Sequence, residues 1–197
     1  MDSLTSAGYR FAHEIHDFAR WNWMYKAAVT MTGVGNRVSH NKIHDAPHNA
    51  VLFFQTNDSR IEFNDIYRVC KTTDDAGAIY SGRDWGARGD AVSSNYIHDL
   101  SSSLGNAVSA IYLDDCLSGV EVKGNIIDRV DGMGIQHGGG RDDLIESNVI
   151  ANCAQAAFET DARCVTWAAS SVPGLLSSLE ANGYQRNPWL TRYQRAT

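Results

Sequence analysis

Three prolines in 197 residues leave no room for a proline-rich linker. Basic residues are outnumbered, 17 Lys and Arg against 23 Asp and Glu, and the net charge of −6 disfavours a nucleic-acid partner or an anionic membrane surface. No apolar run reaches the roughly 18 residues that a bilayer span needs. The start, Met1-Asp2-Ser3-Leu4-Thr5, carries neither a basic region nor an apolar core, so no signal peptide is expected in it. Cysteine is scarce. Cys70, Cys116, Cys153 and Cys164 have no CxxC spacing, which argues against a zinc site and for buried thiols, with one disulfide as the alternative. Helical periodicity is missing over residues 30–165.

What the chain does have is a repeat. Asn-x-Ile occurs at Asn41, Asn64, Asn95, Asn125 and Asn148, and His13-Glu14-Ile15 is a sixth copy without its Asn. Each copy leads to a small-plus-apolar pair. The apolar members Val29, Val51, Ile79, Ile111, Ile135 and Phe158 follow one another at 22, 28, 32, 24 and 23 residues. Short β-rich runs on such a period, broken by Gly, Asn and Asp, predict an all-β parallel solenoid of about six coils. One coil cannot bury its own apolar face, but stacked coils bury a continuous Ile/Val column, and their asparagines form an amide ladder. The Ile-His-Asp triplets at residues 15–17, 43–45 and 97–99 recur with the repeat and read as turn structure. Coils are expected over residues 1–168. Residues 169–197 are read as a helix from Val172 to Ala181 that packs on or beside the last coil, followed by a wrapping tail.

The irregularities point to a site. From the Asn position to the apolar residue the coils measure 16, 10, 15, 16, 10 and 10 residues, so three of them carry an insertion at the same turn. Stacking aligns these loops along one edge, with the short turn Asp45-Ala46-Pro47-His48 as a pocket floor. Trp21, Trp23 and Tyr25 in the first loop suit sugar stacking or simple cover of the coil end. Strand parity points Tyr80, Tyr112 and Asp114 outward. Asp114 aligns with Gly82 and Gly138, whose missing side chains leave room for a ligand. Asp75, Asp84, Asp114 and Asp115 are the candidate catalytic carboxylates, because paired carboxylates are the minimum for glycoside hydrolysis. His48, Trp21, Trp23, Tyr25, Tyr80, Tyr112, Arg83 and His137 are candidate substrate contacts. His137 faces inward by parity, unless the Gly138-Gly139-Gly140 turn exposes it. One obstacle is distance. An extended chain would separate Asp75 and Asp114 laterally by roughly 20 Å at about 3.3 Å per residue, against the roughly 5–10 Å that a working pair needs.

Residues 4–8, 16–21, 33–38, 44–48, 75–85, 110–115 and 138–142, above all Asp75-Ala76-Gly77-Ala78-Ile79-Tyr80 and Tyr112-Leu113-Asp114-Asp115, carry a resemblance. The chain resembles right-handed parallel β-helix proteins of bacterial polysaccharide degradation, in particular the C-terminal coils of proteins grouped near glycoside hydrolase family 141. That resemblance implies a right-handed coil, a polysaccharide or oligosaccharide partner, and an extracellular or periplasmic location. Its members are longer, with further coils upstream, so a homodimer through the exposed first coil is one expectation here. Cys164 stands where a Gly is expected, and His137 where a small or apolar residue is. Three functions follow: a glycoside hydrolase or a remnant of one acting on a neutral glycan, a noncatalytic glycan-binding scaffold, and, ranked lower, a polysaccharide lyase or epimerase. No cofactor is required by the first two, and calcium bound by the Asp cluster is the alternative.

Overall fold

The computed structural model describes residues 13–105, 108–187 and 189–193. Outside them lie residues 1–12, with the resembling stretch 4–8, Asn106 and Ala107 of the third loop, and Pro188 and residues 194–197 of the tail. The described chain is a parallel β-helix with three sheets, every strand pairing parallel with its counterpart in the next coil. The first sheet contains Glu14–His16, Lys42–His44, Asp65–Tyr67, Tyr96–Leu100, Ile126–Val130 and Val149–Cys153. In the second are Val29–Val34, Val51–Asn57, Gly77–Gly82, Ser109–Asp114, Met133–His137 and Ala156–Thr160. The third holds Arg37–Ser39, Arg60–Glu62, Asp90–Ser93, Val120–Lys123 and Leu144–Glu146.

Register follows the apolar pattern. Ile43, Ile66, Ile97 and Ile127 stack in the first sheet, Val51, Ile79, Ile111 and Ile135 in the second, and Ile61, Val92 and Val122 in the third; all are buried. A one-residue slip would turn every one of them to solvent, so burial of the columns sets the register. The asparagines form the expected ladder. Each Oδ1 from Asn64 to Asn148 accepts the backbone N–H and the side-chain amide of the preceding Asn at 2.9–3.0 Å. His13, without an amide, still donates its backbone N–H to Asn41.

One residue near the end of each first-sheet strand, two positions after the repeat's Ile, is left-handed. Asp17, Asp45, Arg68, Asp99, Arg129 and Asn152 have φ between 47° and 55°. Asp and Asn tolerate this region and arginine does not, at a cost of roughly 1–2 kcal/mol. Arg68 and Arg129 recover it partly by reaching back to the carboxylates of Asp45 and Asp99 one coil away. The Ile-His-Asp triplets belong to the same ladder: each His Nδ1 bonds the Asp that follows, and His16, His44, Tyr67 and His98 stack at 4.7–5.1 Å.

The helix Val172–Ala181 forms as its pattern predicts, with Leu175 and Leu179 buried. Its position differs from the expectation. Leu175 packs with Trp85, Cys116 and Ala168, against turns of the third and fourth coils. Arg192 and Tyr193 then bond Asp58 of the second coil at 2.7 Å. The C-terminal segment therefore runs back along the edge joining the second and third sheets. The last coil keeps Val149 62% and Phe158 46% exposed.

Candidate functional site

Outward-facing residues of the second sheet form a row of Thr30, Leu52, Tyr80, Tyr112, Gln136 and Glu159 in register. A cleft of about 770 Å³ lies on this row. Tyr80 and Tyr112 meet edge to face at 5.4 Å. The first insertion loop folds back so that Tyr25 leans on Tyr80 at 5.9 Å, and Trp167 supplies a wall from the C-terminal side. Aromatic faces beside carboxylates are what an apolar sugar face and its hydroxyls require.

Asp114 ends its strand at the cleft and is buried. Its Oδ2 accepts the Tyr80 hydroxyl at 2.7 Å, and its Oδ1 accepts the N–H of Asp115 at 2.7 Å and Arg163 Nη1 at 2.6 Å. Burial pushes the Asp114 carboxyl above the usual carboxylate range, against the hydrogen bond from Tyr80. Asp115 is opposite. Burial raises its carboxyl too, but hydrogen bonds from Arg83 and Arg163 outweigh this and hold it low. Asp115 and Cys116 are both left-handed, φ 32° and 68°, a strained pair that swings Asp115 toward Arg83 directly after Asp114. Two adjacent carboxyls thus differ in proton affinity because burial dominates at Asp114, while hydrogen bonds from Arg83 and Arg163 outweigh it at Asp115.

The distance obstacle does not arise. The second insertion folds Asp75 over the sheet through a left-handed residue of φ 43°, and Asp75 Oδ1 accepts the Tyr112 hydroxyl at 3.4 Å. The same hydroxyl lies 3.1 Å from Arg163 Nη1, itself 2.6 Å from Asp114 Oδ1. Through these links the two carboxylates stand no more than about 9 Å apart, below the roughly 9.5 Å upper limit of glycosidase pairs.

Several sequence candidates lie elsewhere. His48 is 2% exposed, hydrogen-bonded to Asn49 and packed against Tyr25, and it is not among the residues lining the cleft; burial holds its imidazole below the usual value. The expected pocket over its turn exists, at about 270 Å³, but Asp45, Ala46 and Pro47 form it with Trp23 and Lys71. Trp23 therefore sits beside the main cleft, and Trp21 is fully exposed at the loop tip. Asp84 accepts the N–H of Gly86 at 2.6 Å and is half-buried at the turn leading to the third sheet, away from the residues lining the cleft. His137 is held between Thr160 and Asp143 at 2.8 and 2.9 Å, facing inward as parity predicts. Arg83 lines the cleft, engaged by Asp115 at 2.5 Å.

Arg163 is the residue that sequence reasoning missed. Its guanidinium occupies the centre of an acidic cluster, bonding Asp114, Asp115 and Asp161 as well as Tyr112. The space left by Gly138 serves this arginine: a Cβ there would stand 3.0 Å from Arg163 Cζ. At Gly82 a Cβ would meet Asp114 at 3.2 Å, so that glycine permits close strand approach. Both correct the expectation that the two glycines admit a ligand. In the Asp cluster offered as the alternative calcium site, Arg163 bonds Asp114 and Asp115 and also Asp161, and among the described residues no three His, Cys, Asp or Glu side chains are grouped so as to hold a metal ion. A disulfide between Cys116 and Cys164 fastens the Arg163 turn to the strand end that carries Asp114, which gives a role to the cysteine that stands where the resemblance implies a glycine. The signal was present: Cys116 and Cys164 each fall just past an aligned Asp, at Asp114 and Asp161.

A family model described as right handed beta helix region matches residues 11–142, more than half of the chain. No curated protein and no solved structure matches it.

Proposed function

The chain belongs to the right-handed β-helix family, and from that premise we propose that it is a carbohydrate-active protein whose second-sheet cleft hydrolyses a neutral glycan. β-helix domains of this kind are found in carbohydrate-active proteins. The observation that carries the reading is the link from Asp75 through Tyr112 to Asp114 beneath an aromatic cleft. Asp114, whose burial favours the protonated form, is the acid that delivers a proton to the leaving glycosidic oxygen. Exposed Asp75 is the partner carboxylate, attacking the anomeric carbon or activating water. Half-exposed Tyr25 offers a ring face for the sugar, and the largely buried Tyr80 and Tyr112 floor the cleft and bond its carboxylates. Both arginines in the cleft are already paired with carboxylates, which argues against a lyase that needs free cations to hold a uronate. The resemblance to glycoside hydrolase family 141 proteins points the same way, and a disulfide suits an exported protein.

A noncatalytic glycan-binding role is the second reading. It is favoured by the partners on Asp114, all of which donate to its carboxylate oxygens and so oppose a proton there. Reducing-end release from a panel of neutral polysaccharides separates the two. Asp114→Asn and Asp75→Asn are each expected to lower the rate by about 100-fold or more. Unsaturated uronate products, or rates untouched by either change, would overturn the hydrolase; binding without turnover establishes the second reading.

A further inference from the structure

Between Asp161 and Ser171 only Arg163 and Ala168 are buried; Val165 is 80% and Trp167 69% exposed. This turn has little apolar anchorage of its own, yet it delivers two parts of the cleft, the Arg163 guanidinium and the Trp167 wall. Its covalent tie is Cys164, bonded to Cys116, which stands two residues past Asp114. Cys116 is fully buried, whereas Cys164 is partly exposed, so an attacking thiolate has access at the Cys164 sulfur.

We propose that the Cys116–Cys164 disulfide is a redox latch on the cleft: closed, it seats Arg163 against Asp114 and stands Trp167 in the wall; opened, it releases both. Opening is a thiol–disulfide exchange with a dithiol. One dithiol sulfur attacks Cys164 Sγ, the S–S bond breaks, and Cys116 leaves as a thiolate and takes up a proton. The second dithiol sulfur then displaces Cys164 as a thiol, so the dithiol is oxidised to a disulfide as the protein is reduced. Loss of Arg163 removes the cation beside Asp114 and leaves Asp75, Asp114 and Asp115 facing one another across the cleft. The expected loss of glycan binding rests on the function proposed above; the latch itself does not.

The test follows the Asp114 carboxyl by carbon NMR in chain labelled at aspartate, titrated with the disulfide intact and after dithiothreitol. Removing a guanidinium at 2.6 Å is expected to move the Asp114 midpoint up by about one pH unit or more. Arg163→Gln with the disulfide intact should give the same shift, and Cys164→Ser should reproduce it without reductant. An unchanged Asp114 titration in the reduced chain, while Arg163→Gln does move it, would overturn the latch. Circular dichroism on each sample checks that the coils persist. In parallel, cellohexaose and xylohexaose are titrated into both forms; binding at least tenfold weaker after reduction is expected, and equal binding would overturn the latch's control of the cleft. Failure of the oxidised chain to bind either sugar, with the carboxyl shift intact, would count against the glycan reading and leave the latch standing.

Discussion

Asn64 is buried, and its side chain has a partner on every side. Its Oδ1 accepts from the backbone and amide of Asn41, and its amide donates to Val38 O and to Asn95 Oδ1. Alanine there strands all of these groups in a dry turn, at about 1–3 kcal/mol for each one left unpaired. Asn64→Ala is expected to cost about 3 kcal/mol or more in urea unfolding, and Asn148→Ala less, since Asn148 is half-buried at the end of the ladder. Equal losses at both positions would contradict the ladder. Asp90 behaves differently. Ser59 N–H and the Thr56 hydroxyl satisfy it, yet burial pushes its carboxyl up to about 6. The folded state thus holds its proton more tightly than the unfolded chain, whose aspartates titrate near about 4. Stability is present below about pH 4 and is lost as pH rises to about 6, on the order of 2 kcal/mol. Asp90→Asn should flatten that part of the pH–stability curve, and an unaltered slope would refute the assignment. The repeat exposes such ladder residues in the sequence. It does not expose Arg163, because no periodicity links it to Asp114, 49 residues earlier.

Insertion loops and the C-terminal helix show how far an element can be read. Coil arithmetic locates all three loops correctly, because the number of residues between two fixed columns must be accommodated somewhere. The second and third loops do pack together, Ser102 donating to Thr73 O at 2.5 Å and Ser103 N–H to Lys71 O. The direction in which a loop folds is another matter. Tyr25 turns inward over Tyr80 while Trp21, four residues earlier, stays in solvent. Asp75 closes a gap that an extended chain would leave open, since one left-handed residue redirects the backbone at a cost too small for composition to reveal. The helix Val172–Ala181 is legible from Pro173, its leucines and Gly183. Its docking site is not, because the apolar pair Leu175 and Leu179 would fit any exposed apolar surface, and the disulfide selects the side of the coils.

Stacked coils make the molecule close to one-dimensional, each contacting only its neighbours, so stability varies along the axis. Inner coils have columns with 0–2% exposure at Ile61, Ile66, Val92, Ile97 and Val122, whereas in the last coil the column residue Ile150 is only partly buried and Phe158 is 46% exposed. Amide hydrogen exchange is expected to be slowest in Asp90–Ser93 and Val120–Lys123 and fastest, among the strands, in Val149–Cys153 and Ala156–Thr160. Uniform protection from end to end would show that something covers the last coil. By itself the sequence determined the parallel solenoid, the number of its coils, the ladder, the strand faces and the edge that carries the loops. These follow from spacing, and spacing survives in one dimension. Only the tertiary structure decided the cleft: that His48 and Asp84 lie apart from it, that Asp75 reaches it, and that Arg163 neutralises its acids. Those outcomes depend on how segments distant in sequence approach one another, as the Cys116–Cys164 cross-link and the Arg163 turn do.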